Sequence, residues 1–169
     1  LGIDTWVEDQ NVVPHTVGAL GGTPLVNNAG QTGASVVTDG WTAAAATRLK
    51  RGDVVQFAGV YAVNPQSYQS TGQLQDFVVT ADTASDASGN LTIPIAPSII
   101  TSGPFQTVTA SPANNAVVTI FGHASTYANA VSFQGLVYHK DAFAMVMADL
   151  EMPEGGVSIK ERISNKALN

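Results

Sequence analysis

The chain has 169 residues, 44% of them hydrophobic and 12% charged, with a net charge of −6 and no cysteine. One domain of this length can bury a core. Charge stands at about half the ~25% of an ordinary soluble domain, so 28 Ser and Thr and 19 Asn and Gln carry most of the polarity. An acidic balance with a single basic cluster, Arg48, Lys50 and Arg51, argues against a groove for nucleic-acid phosphates. The lack of Cys excludes disulfides, a thiolate nucleophile and cysteine-ligated zinc, and no run of ~18 apolar residues is present to span a membrane.

The chain opens on Leu1 without a basic-then-apolar leader and closes at residues 164–169 just after a strand-like stretch. Both ends read as cuts through a longer polypeptide. Between them β signals dominate, with Gly and Pro punctuating short Val/Ile/Thr/Phe runs. Residues 20–33 (LGGTPLVNNAGQTG) are turn-rich, with short strands expected near Leu25 and Val26 and over residues 35–38. Residues 42–49 (TAAAATRL) fit either a short helix capped by Thr42 or a strand. Lys50-Arg51-Gly52-Asp53 is a tight turn in both cases, and residues 53–60 (DVVQFAGV) follow as a strand.

Residues 61–72 read as a long polar loop with two tyrosines and several amides. In residues 73–81 (QLQDFVVTA), Phe77, Val79 and Ala81 share one face of a strand. A polar turn at 82–90 leads to a partner strand with Leu91, Ile93 and Ile95 facing inward. Pro94 lacks a ladder donor, which predicts an edge position or a bulge there. Further strands are expected at 105–110, 116–121 and 131–138. Residues 142–150 (AFAMVMADL) suit a strand covered on both faces or a buried helix. In the last strand Val157, Ile159 and Ile163 alternate with Ser158, Lys160 and Arg162. The fold class is all-β: eight to ten short strands in a barrel or sandwich.

Chemical motifs are sparse. His15, His123 and His139 stand at no metal-ligand spacing and form no HExxH. His139-Lys140-Asp141 reads as a polar connection, and a hydrolase centred on His139 and Asp141 would need a nucleophile that the residues do not identify. Asp82, Asp86, Ser88 and Asn90 offer oxygens to calcium, yet the sixth and twelfth positions counted from Asp86 are Leu91 and Pro97 where a calcium loop needs Gly and an acid. No Walker lysine, GxGxxG or GxSxG occurs. Trp6, Trp41, Tyr61 and Tyr68 could line a sugar face, the basis of a rival reading as an all-β carbohydrate-binding adhesin or tail-spike-like module. The loop at 61–72 suits protein–protein contact, with aromatics supplying area and amides supplying hydrogen bonds, as well as a plain surface loop.

Three segments carry a resemblance. LKRGDVVQFAGVYAVNP (49–65), TGQLQDFVVTA (71–81) and VYHKDAFA (137–144) followed by DLEMP (149–153) resemble the major coat proteins of tailed phages, the family typified by the coat protein of Salmonella phage P twenty-two. The resemblance covers most of the chain, strongly from about residue 40 to 164. It implies the tailed-phage capsid fold with an added six-stranded Greek-key β-barrel insertion domain. Residues 1–13 would then be the entering connector, 14–134 the barrel, and 135–169 return strands of the capsid body. The implied role is structural: self-assembly into an icosahedral shell, with the barrel aiding subunit folding and intersubunit contact, and no catalytic, cofactor or metal residues. Implied partners are other copies of the coat protein and a scaffolding protein, with no nucleic-acid site, membrane or small-molecule substrate. The implied location is the virion capsid, after synthesis in the bacterial host cytoplasm. The family's long charged bridging loop would fall near residues 35–41, which are short and carry only Asp39, so that role is not carried over. Residues 61–72 match the position of a second loop, and the expected subunit-contact residues are Tyr61, Gln66, Tyr68 and Gln69.

Overall fold

The computed structural model describes residues 10–43, 46–122, 124–135, 137 and 145. The chain divides into two units, Leu1–Gly135 and Leu136–Asn169, and every element named below lies in the first. The strands expected beyond residue 135, together with Trp6, His123, His139 and Asp141, fall outside the described residues.

Among those residues the elements are β1 (Pro14–Thr16), β2 (Gly22–Val26), β3 (Gly33–Trp41), β4 (Thr47–Leu49), β5 (Val54–Phe57), β6 (Tyr61–Val63), β7 (Ser70–Leu74), β8 (Phe77–Val79), β9 (Thr83–Ala84), β10 (Leu91–Ile99), β11 (Val118–Ile120), α1 (Ala124–Tyr127) and β12 (Val131–Phe133). Six of them form one antiparallel sheet in the order β11-β5-β8-β10-β3-β2. Its two outer strands meet: Leu25 bridges Val117, Val26 N donates to Ala116 O at 2.9 Å, and Asn115 N donates to Val26 O at 2.9 Å. The sheet thereby nearly closes into a barrel, which shortens the exposed strand edges that invite aggregation.

The order is a Greek key. The meander β5-β8-β10 is flanked by β3, which lies beside β10, and by β11, which returns beside β5. Alternation fixes the inside. Val55 and Phe57, Phe77 and Val79, and Leu91, Ile93 and Ile95 are buried, and Val36 and Thr38 meet the last group across the β3–β10 ladder. Phe57 and Phe77 pack with ring centroids 5.3 Å apart at 53°, within the range of favourable tilted pairs. Thr38 is the polar member of this core. Its Oγ1 donates to Leu91 O and accepts from Trp41 Nε1, both at 2.8 Å, so the Thr38 hydroxyl is satisfied.

Several details differ from the sequence reading. Residues 47–49 take the strand alternative, pairing with β9. The strand expected over 53–60 ends at Phe57, because a turn closed by Val60 N on Phe57 O at 3.1 Å follows. Pro94 lies in a central strand, and the ladder shifts register between Pro94 and Ile99, so the bulge alternative holds. No strand forms at 105–110. Thr107 N and Val108 N both donate to Ile100 O, and the segment makes one isolated bridge, Ala62 to Val108. Residues 35–41 lie inside β3 and form no loop at all.

Candidate subunit-contact surface

The chain leaves the barrel at the end of β5 and returns at the start of β8. Residues 61–72, expected as a loop, lie mostly in a second hairpin, β6 with β7, which extends to Leu74 and projects from that end. No alternation marks it in the sequence, because β7 (STGQL) is polar on both sides and β6 (YAV) is only three residues long with no polar face. Asn64 organises the tip: its Oδ1 accepts from Gln66 N at 2.9 Å, and its carbonyl accepts from Tyr68 N at 2.8 Å. Asn64 N donates to Gln69 O at 2.9 Å and closes the turn. Such side-chain capture of backbone N–H groups is what Asn supplies in tight loops. Tyr68 takes φ of 55°, in the left-handed region, which turns its ring aside so that its hydroxyl donates to Pro104 O at 3.4 Å.

The hairpin brings three of the four expected residues together. Gln66, Tyr68 and Gln69 sit on the tip and all are exposed. Tyr61 is also exposed but stands at the base, opposite Leu74, with its carbonyl accepting from Thr109 N at 2.9 Å. Beside the tip lies a turn that the sequence reading placed in a strand. Gln106 N donates to Gly103 O at 3.1 Å, and Phe105 at its apex is 80% exposed. The available signal was the Gly103-Pro104 pair, a turn dipeptide directly before an aromatic residue.

At the opposite end of β5, Asp53 forms a buried polar node. Its Oδ1 accepts from His15 Nε2 at 2.8 Å, and its Oδ2 accepts from Lys50 N at 2.8 Å and Gly18 N at 3.1 Å. These bonds tie β1 to the barrel. Gly18 must be glycine, since a Cβ there would lie 2.1 Å from the Arg48 carbonyl oxygen. Arg48, the buried member of the basic cluster, donates to Ser85 Oγ at 3.1 Å and Leu20 O at 3.0 Å. Arg48 is therefore part of the packing, which leaves half-buried Lys50 and exposed Arg51 of the cluster.

Two other candidate sites take a structural form. Trp41 is 4% exposed with its indole N–H already bonded to Thr38, so it offers no face to a sugar. Asp86 fills its own loop. It accepts from the Asn90 side chain at 2.9 Å and from Asn90 N and Ser88 N at 2.8 Å each, and the Asn90 amide leads the interactions that hold its carboxyl below the usual carboxylate range. Among the described residues no cluster of three or more His, Asp or Glu is placed to hold a metal, and no helix is long and apolar enough to cross a membrane.

The comparison that decides the family spans most of the chain: residues 2–158 match the model of "P22 coat protein - gene protein 5". The chain belongs to this coat protein family. It is a structural component of a phage capsid, it assembles with other coat protein copies, and its place is the virion capsid. Of solved structures, the "CUS-3 coat protein I-domain" is similar at 22% identity over 60% of this chain and 96% of that one, with a TM-score of 0.41. Among curated proteins none matches.

Proposed function

We propose that residues 14–134 are the insertion domain of the coat subunit, that this barrel helps the subunit fold, and that the hairpin tip contacts neighbouring subunits. The observation that carries the reading is the β1–β12 ribbon. Pro14 pairs with Phe133, His15 with Ser132 and Thr16 with Val131. Chain entry and exit thus lie side by side on antiparallel strands, the arrangement that lets a domain be inserted into a host fold without stretching either one. The enclosed barrel has its own continuous core, as an independent folding unit requires.

The contact role rests on the tip. Gln66, Tyr68 and Gln69 offer ring area and amide groups without charge, the composition favoured where surfaces pack repeatedly by symmetry. The work is surface burial, with no covalent step and no catalytic group. A scaffolding protein is the second partner of this reading, acting during assembly in the host cytoplasm. Replacing Gln66, Tyr68 and Gln69 together by Ala tests the tip. Shell yield, followed by electron microscopy and sedimentation, should fall at least tenfold while the subunit's thermal melt stays within about 2 °C, since exposed positions contribute little to stability. Normal shells from the triple variant would remove the tip from the contact.

A further inference from the structure

The hairpin tip is one part of a larger uncharged end of the barrel. No charged residue occurs from Val54 to Gln75 or from Ala87 to Gly122. Both stretches reach the same end, joined by the Ala62–Val108 bridge and by the Tyr68 hydroxyl on Pro104 O. The charge nearest to it is Asp76, at the start of β8, and its Oδ1 is occupied by Gln56 Nε2 at 2.6 Å. Of the other described charges, Lys50, Arg51 and Asp53 precede β5, Asp82 accepts from Arg51 N, and Asp39 lies in β3 opposite Leu25.

We propose that this uncharged end docks against a second copy of the coat protein, with Phe105 as its apolar anchor. The proposal rests on the insertion-domain reading above and extends it from the hairpin to the 103–106 turn. Charge argues for the occupant. A chain of net charge −6 meets a like-charged copy at an electrostatic cost, which is least where neither surface carries charge. A basic partner would gain nothing from such a face. Phe105 is also presented without slack. The turn is closed by Gln106 N on Gly103 O, and behind it Thr107 Oγ1 donates to Ser98 O at 2.7 Å and accepts from Ile100 N at 3.0 Å. A turn whose backbone is already held in place loses less entropy on docking.

Thiols placed beside the anchor test this while Phe105 and Gln66 stay in place. Coat protein in which any cysteine outside these 169 residues is replaced by Ser carries either Ser102→Cys, exposed and next to the turn, or Ser67→Cys, exposed on the hairpin tip. Each is compared as free subunits and as shells assembled from coat protein alone, by the rate of maleimide labelling. The proposal predicts rapid labelling of S102C in free subunits and at least tenfold slower labelling in shells. Equal rates in both states overturn it. So does protection already present in the free subunit, which would mean that the same polypeptide covers the turn. Protection that appears only when scaffolding protein is present overturns it as well, in favour of that partner. Protection of S67C with free labelling of S102C would leave the hairpin reading standing and remove this extension, whereas free labelling of both would remove both.

Discussion

At the scale of single residues, buried polarity is the most informative feature. Asp53 is 4% exposed and takes three donors from two stretches of chain. Removing it would leave the His15 ring N–H and two backbone N–H groups without acceptors. Asp53→Ala should therefore cost about 3 kcal/mol in urea unfolding, and Asp53→Asn, which keeps one acceptor oxygen, should cost less. Asp86 makes a pH-dependent case. Its carboxyl is held below the usual range, chiefly by the Asn90 side-chain amide and then by the Asn90 backbone N–H. A depressed folded-state pKa means stability that is present above the unfolded value and lost as pH falls through the folded one. The melting-temperature gap between wild type and Asp86→Ala should hold from neutral pH down to the carboxylate range and narrow below it. A gap that does not change with pH would assign the loop's stability to groups other than this carboxylate. Neither role could be read from composition. Asp53 was legible as a turn residue, but its partners His15 and Gly18 lie 38 and 35 positions upstream.

At the scale of elements, what could be read was what alternates. Phe77 with Val79, and Leu91 with Ile93 and Ile95, show a period of two because one face of a barrel strand is dry. The β6–β7 hairpin carries no such contrast, and residues 105–110 resemble a strand locally while their backbone groups are taken by Ile100 and by the Thr107 side chain. Residues 42–49 were ambiguous because the choice was made by pairing with β9, more than thirty residues downstream. The core itself gives a sharp expectation. Phe57→Ala removes one ring of the Phe57–Phe77 pair from a fully buried site and should cost about 3–5 kcal/mol in the same unfolding assay. A loss below about 1 kcal/mol would mean that the two rings do not form the centre of the barrel.

At the scale of the whole molecule, the barrel is a nearly closed body on an antiparallel ribbon, and that topology joins fold to function. The core strands face inward around one axis, the Asp53 node fastens the ribbon at one end, and the uncharged hairpin and turn project from the other. A capsid protein needs both properties: an interior that folds without its neighbours and a surface that meets them. The proposed contact residues were partly legible, since Gln66, Tyr68 and Gln69 stand out by their chemistry. Phe105 was not, because its exposure depends on a turn pinned by Ile100 and Thr107 rather than on local pattern. The most direct measurement is the thermal and urea unfolding of a polypeptide spanning residues 14–134, followed by circular dichroism. An insertion domain with its own core predicts a β spectrum and one cooperative transition, coincident by both probes. A featureless spectrum, or a gradual melt without a transition, would contradict the claim that this barrel is a self-contained domain of the coat subunit.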